Sequence, residues 1–293
     1  MAIYKLQSGE TTVEVCSKGA ELHAITVNGV NHLWDADPKY WGRHAPVLFP
    51  IVGRVWGDRY RTGGREYHLT QHGFARDAEF TPVCQAKDII VLRLESSPAT
   101  MEKYPFPFCL DIIYTVLGPT VGVKWKVKNT GSEVMPFQIG GHPAFKYATD
   151  DLSQDPLAVL YFSTDSDELV YVSPTEAGCT DCVEHTLQLN NRRMPIHHDT
   201  FACDTYIFDH GQVHGITLST PDGRPYLHLS TTCPQFGVWS PSQKHPDAPF
   251  ICLEPWYGRC DRVGYEGELA ERDCMTLLPP GEEFEAGYEI TYL

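Results

Sequence analysis

Polar and apolar residues alternate along most of the chain with the two-residue period of a strand rather than the 3.6-residue period of a helix. "TTVEVCS" (11–17) alternates, and "AITVNGVNHLW" (24–34) sets Asn28-Gly29 between two short apolar runs, which predicts a hairpin. "LDIIYTVLGPTVGVKWKVKN" (110–129) predicts two strands joined at Gly118-Pro119. In the second of these, Val121, Val123, Trp125 and Val127 share one face while Lys124, Lys126 and Lys128 share the other. "GITLSTPDGRPYLHLST" (215–231) repeats the design around Pro221-Asp222-Gly223, and "EFEAGYEITYL" (283–293) reads as a closing strand. Helical turns are expected only in "QDPLAVL" (154–160) and "YEGELAERD" (265–273), and the polar segment 150–200 is expected to form loops and edge strands. The pattern predicts an all-β chain, one large antiparallel β-sandwich domain over residues 1–293.

Composition narrows the partners. The chain has 42% hydrophobic and 21% charged residues, and 23 basic against 38 acidic side chains give a formal net charge of −15. Such a surface repels phosphate backbones and anionic lipid, so neither nucleic acid nor a membrane is expected as a partner. No apolar leader opens the sequence and no run is long enough to span a bilayer, so a cytoplasmic location is expected. The ten cysteines are then expected to stay reduced, with Cys16, Cys84, Cys109, Cys203, Cys252 and Cys274 acting as small hydrophobes. Cys179 and Cys182 have ligand spacing, but no second pair stands at a regular distance; they are read as free thiols, with no metal.

Four islands place polar groups in apolar surroundings: "APVLFPIVGRV" with Arg54, "HGFAR" with His72 and Arg76, "MPFQIGGHPAFKY" with His142, and "FICLEPWYGRCD" with Glu254. A histidine beside glycines is commonly structural, and an arginine beside acidic residues commonly pairs with them. Glu254 resists such a reading, because a carboxylate ending an apolar strand is desolvated and needs a partner or a purpose. Trp256 and Tyr257 beside it supply flat apolar surface of the kind that packs on a sugar ring. A histidine and a glutamate together offer an acid and a base that work at once near neutral pH.

In order along the chain, "FPIVGRV", "HGFARDAEF", "GGHPAF", "CDTYIF" and "DAPFICLEPWYG" resemble the aldose 1-epimerase (galactose mutarotase) family, most closely its LacX-like branch. The resemblance implies a galactose-mutarotase-like β-sandwich that interconverts the anomers of a small sugar without a metal or organic cofactor. It places the catalytic acid on His142, the base on Glu254, and sugar-binding roles on Arg54, His72 and Asp204. The chain departs from free-sugar mutarotases around both catalytic positions: Gly141-His142-Pro143-Ala144-Phe145 flanks the acid, and Trp256 stands two residues after the base. Arg76 resembles an arginine of a hexose-6-phosphate epimerase branch, but the "RGG" of that branch is missing before "FP". Arg76 is a candidate substrate-binding residue that supports the site or reaches a substrate anion; Asp77 and Glu79 offer it ready partners, so the simpler expectation is that it is tied into the protein, ordering the turn that carries His72. The expected substrate is an unphosphorylated sugar, the alternatives being a hexose 6-phosphate or a sugar-binding protein without turnover.

Overall fold

In a computed structural model, which describes residues 1–293 except 150 and 176, the alternating segments form strands that assemble mainly into two large antiparallel sheets. The first has nine strands. Its centre is the long hairpin Phe108–Leu117 and Thr120–Asn129, flanked by the C-terminal strand Glu283–Tyr292, which also pairs with Pro225–Thr231. The last strand of the chain therefore lies in the middle of the sheet. On Thr120–Asn129, Val121, Val123, Trp125 and Val127 are buried, while the three lysines of the other face meet Glu283 and Glu285 across the strand pair.

The second sheet, of eight strands, is built around Phe250–Tyr257, which has Gln235–Trp239 on one side and Ile139–Gly141 with Ala144–Lys146 on the other. One apolar cluster joins the sheets, with Val123, Trp125 and Ile290 from the first and Phe236, Val238, Ile251, Leu253 and Ile139 from the second. A smaller four-stranded sheet contains the hairpin Leu22–Val27 and Val30–Asn31, where Asn28 and Gly29 both take positive φ as a tight turn requires.

Three expectations need correction. Residues 154–160 form no helical turn: Ala158–Ser163 is a strand, in register with Arg193–Ile196 and Gly215–Ser219. The helical turn expected within 265–273 does form, as a 3-10 turn at Leu269–Glu271. An unanticipated helix spans Pro98–Met101, started by Ser97, whose side chain accepts from the Thr100 N–H while Thr100 reciprocates. Cys84 is exposed on the edge strand Thr81–Gln85, so it fills no core, and all ten cysteines are unpaired.

The strand Phe250–Tyr257 is buried on both faces, and its alternation sorts them. Ile251 and Leu253 enter the main core, whereas Phe250, Cys252, Glu254 and Trp256 face the opposite side. The indole of Trp256 spreads over the two neighbouring strands at Gly140 and Gly237, where an added Cβ would fall 2.4 and 2.5 Å from its ring. Either glycine replaced by alanine must push the indole off its seat. Gly140→Ala and Gly237→Ala are each expected to lose about 1–3 kcal/mol in a denaturant titration, the usual cost of overpacking. Unchanged stability in both would show that the indole can relocate freely.

Candidate active site

The side of the second sheet that carries Glu254 and Trp256 forms the floor of a cleft of about 260 Å³. Its wall is drawn from distant parts of the chain: Trp41, Gln71, His72, Arg76, His142, Asp204, Trp239 and Cys260 all contribute. Six of the seven residues singled out in the sequence meet here: His142, Glu254, His72, Asp204, Arg76 and Trp256.

Glu254 is 1% exposed and His142 7%. His142 Nε2 lies 3.1 Å from Glu254 Oε2. The approach is close but misaligned for a hydrogen bond, so Glu254 Oε2 lacks a hydrogen-bond partner among the described residues, as does His142 Nδ1, the other nitrogen of the ring. Burial, reinforced by the charge of Asp204, pushes the Glu254 carboxyl well above the usual range. Burial likewise pulls the His142 imidazole down to about 3. Both directions favour the neutral forms, a carboxylic acid facing a neutral imidazole.

His142 is framed by aromatics. The Trp41 indole stacks on it at 4.8 Å between centroids and 25° between planes. Trp239 and His72 meet it edge-on at 5.7 and 5.5 Å. Trp41 is anchored through its carbonyl, which accepts from Trp34 Nε1 at 2.9 Å. An indole face attracts an imidazolium electrostatically, so this stack favours the charged ring against its burial.

The "HGFAR" turn packs on "FPIVG". The His72 N–H donates to Gly53 O at 2.7 Å, and the Gly53 N–H donates to His72 Nδ1 at 3.1 Å. Because Nδ1 accepts, the ring proton sits on Nε2, which makes His72 a neutral donor. Burial, with the charges of the neighbouring arginines, lowers its basicity strongly. Only glycine fits at position 53, where φ is +68° and an added Cβ would lie 2.6 Å from Cys260 Cβ.

Beneath this turn lies a buried polar network. Gln138 Oε1 accepts from the Val52 N–H and from Arg272, and Asp261 accepts from Arg272 and from the Trp56 N–H. The network fixes residues 52–56 and, through Gly53, the tautomer of His72. Removing one member of a buried ion pair strands the other charge. Arg272→Met is therefore expected to cost about 3–5 kcal/mol in chemical denaturation; a loss below about 1 kcal/mol would mean that Asp261 is otherwise satisfied.

Of the two arginines expected near the substrate, one lines the cleft and the other does not. Arg54 does not line the cleft: its guanidinium makes a bidentate bond to Asp58, at 2.6 and 2.9 Å, in the tight turn that follows. Arg76 does line the cleft. Asp77 is taken by Arg43 at 2.9 Å and stands 3.9 Å from Arg76, while Glu79 binds Ser17 and the N-terminal amine. Arg76 Nε is buried with no hydrogen-bond partner among the described residues. Arg76 thus keeps only a long ion-pair contact with Asp77, whose hydrogen bond goes to Arg43. Cys179 turns its thiol to the Arg54 carbonyl at 3.6 Å, and neither it nor Cys182 joins a convergent cluster of metal-ligating atoms among the described residues.

Trp41 and Trp239 were not anticipated as site residues. Their signal in the sequence is slight: each is a large aromatic beside polar or turn residues, in "KYWGRH" and "VWSPS".

The family model for aldose 1-epimerase matches residues 2–291. The chain belongs to the aldose 1-epimerase family. It is 28% identical over 298 residues to the chromosomal protein LacX of Lactococcus lactis, covering 99% of each. Among solved structures it is similar to a galactose mutarotase related enzyme from Lactobacillus acidophilus, with TM-score 0.91, 31% identity, and 100% and 97% of the two chains covered. A galactose mutarotase-like protein from Lactobacillus casei matches over the full length of both chains, with TM-score 0.91 and 26% identity. Among the described residues, no helix is long and apolar enough to cross a membrane.

Proposed function

We propose that this member of the aldose 1-epimerase family interconverts the α and β anomers of an aldose, with His142 as acid and Glu254 as base. The observation that carries the reading is the pair itself, buried at the floor of a cleft of monosaccharide scale and 3.1 Å apart. Ring opening needs a proton delivered to the ring oxygen and another taken from the C1 hydroxyl. The resting pair is neutral, so the Glu254 proton first passes to His142; the imidazolium then protonates the ring oxygen as the C1–O5 bond breaks. The carboxylate receives the hydroxyl proton as the C1 carbonyl forms. Rotation about C1–C2 and reversal of both transfers yield the other anomer and restore the ion pair.

The state reached at ring opening is a neutral imidazole beside a carboxylic acid. Burial favours that same state, so ring opening returns the pair to its resting protonation, and the cost lies in forming the charged tautomer beforehand. Trp41 acts in the opposite sense, and the two together keep the tautomers close in energy. His72 Nε2, Asp204 and Arg76 hold the hydroxyls, and Trp256 supplies the apolar floor, so that the open chain stays positioned for reclosure.

A second reading, an aldose bearing an anionic group such as a 6-phosphate, is favoured by the unpartnered Nε of Arg76. A guanidinium offers an anion bidentate, charge-assisted bonds.

His142→Asn and Glu254→Gln are each expected to slow anomer exchange, read by polarimetry on fresh α-anomers, by about a hundredfold or more. Wild-type kcat in either folded variant would remove the acid–base assignment. Folded wild-type protein that binds aldoses without catalysing exchange would be a binding protein instead. Comparing kcat/KM for glucose, galactose and glucose 6-phosphate separates the two substrates. If the sugar is neutral, Arg76→Ala weakens glucose and galactose alike. If it is anionic, the phosphate is preferred by about tenfold or more, and Arg76→Ala abolishes the preference, a charged hydrogen bond being worth about 1.5–3 kcal/mol.

A further inference from the structure

Cys252 stands on the Glu254 side of its strand and has no part in the anomer reaction. It precedes Glu254 by two residues, and on the neighbouring strand its register partner is Ala144, two residues after His142. Both offsets bring its side chain toward the catalytic pair. One donor atom each from His142, Cys252 and Glu254 lies within 4.8 Å of the other two. Two of these residues also carry buried polar atoms without a hydrogen-bond partner, Glu254 Oε2 and His142 Nδ1.

An imidazole nitrogen, a thiolate and a carboxylate oxygen are the donor types of zinc-class ions, and three protein ligands with an open fourth position make a familiar coordination pattern. We propose that His142, Cys252 and Glu254 form a binding site for a thiophilic divalent cation of the zinc class, and that its occupancy blocks catalysis. Zinc bonds run about 2.0–2.3 Å, so donors at this spacing converge on one ion after shifts of a few tenths of an ångström. Binding releases the Cys252 thiol proton, and the proton shared by the His–Glu pair, to solvent; no electron is transferred. The ion occupies the lone pairs that proton transfer needs, so metal and turnover exclude each other. The inhibitory half of this inference rests on the proposed function, and the binding half does not.

A second cluster, Glu21, His23 and His44, has similar donors but a poorer arrangement. The two imidazoles stack at 4.2 Å with 18° between planes, so their lone pairs run side by side rather than converge. Glu21 Oε1 already accepts the His44 and Ala45 N–H groups.

The full chain, stripped of metal by a chelator, is titrated with cobalt(II) and with zinc(II). Three signals are read: the thiolate-to-cobalt charge-transfer absorption, the heat of zinc binding, and the zinc sensitivity of anomer exchange relative to each protein's own metal-free rate. The expected result is a thiolate band at one cobalt per chain and zinc inhibition of exchange. Loss of an outer-shell partner alone costs about 10–100-fold in metal affinity, so Cys252→Ser should weaken binding and inhibition by at least about tenfold. His142→Asn should weaken zinc binding similarly by calorimetry, which keeps the test open if the cysteine variant fails to fold. Absence of the band in wild type, or a band and zinc affinity unchanged by both substitutions, overturns the site, because another of the ten thiols is then responsible. Wild type that exchanges anomers without zinc inhibition overturns the inhibitory half. A band dependent on Cys252 in a protein that exchanges no aldose leaves the metal site standing and removes the functional reading.

Discussion

The cleft depends on holding one carboxyl and one imidazole out of water while a proton can still pass between them. Taking two fully formed ions into an apolar floor costs several kcal/mol each. The pair avoids most of that cost by resting as a neutral acid and a neutral base, the forms that burial favours at Glu254 and His142. For the proposed chemistry the proton must first pass from Glu254 to His142, and ring opening then returns the pair to the forms that burial favours. Desolvation of this floor is therefore part of the proposed chemistry as well as a property of the core.

That floor exists because a strand buried on both faces can send alternate residues to different places. Ile251 and Leu253 join the core between the sheets, which fixes the strand, and Glu254 is then presented rigidly on the opposite side. The glycines on either side of it allow the Trp256 indole to lie flat beside the carboxyl. Rigidity reaches the other wall through Arg272, Asp261 and Gln138, which set the 52–56 turn and with it the proton on His72. The Glu254 carboxyl and the His72 ring are thus held by two independent supports, one apolar and one polar.

Much of this was legible in the sequence, for a physical reason. Two-residue alternation is a local property, so the Phe108–Asn129 hairpin and the closing strand could be read directly. The oddity of a glutamate ending "FICLE" was legible too, because an ionisable group in an apolar strand conflicts with its surroundings within a few residues. Convergence was not legible. The cleft takes side chains from residues 41, 71, 72, 76, 142, 204, 239, 254 and 256, and no spacing rule links them. Trp41 was missed because its loop is polar, and only the fold reveals that it lies over His142. The sequence shows the last strand but not its place, because sheet order is set by pairing, and it lies between two earlier strands.

The two arginines show where local reasoning about charge fails. Arg76 has acidic residues one and three positions away, and pairing with them is the economical expectation. Arg43, more than thirty residues earlier, reaches Asp77 first, and the N-terminal amine and Ser17 engage Glu79. Arg54 meets the reverse fate, since the turn after it folds Asp58 back onto its guanidinium. A protein with a formal net charge of −15 thereby presents an incompletely neutralised cation inside its cleft. Burial and the neighbouring Arg43 lower Arg76 to about 10, which still leaves it charged at neutral pH. The overall charge acts over the screening length of the solution, about 8 Å at physiological salt, whereas a ligand in contact responds to the guanidinium it touches. Net charge argues against long anionic polymers, and it places no comparable restriction on a single small anion at Arg76.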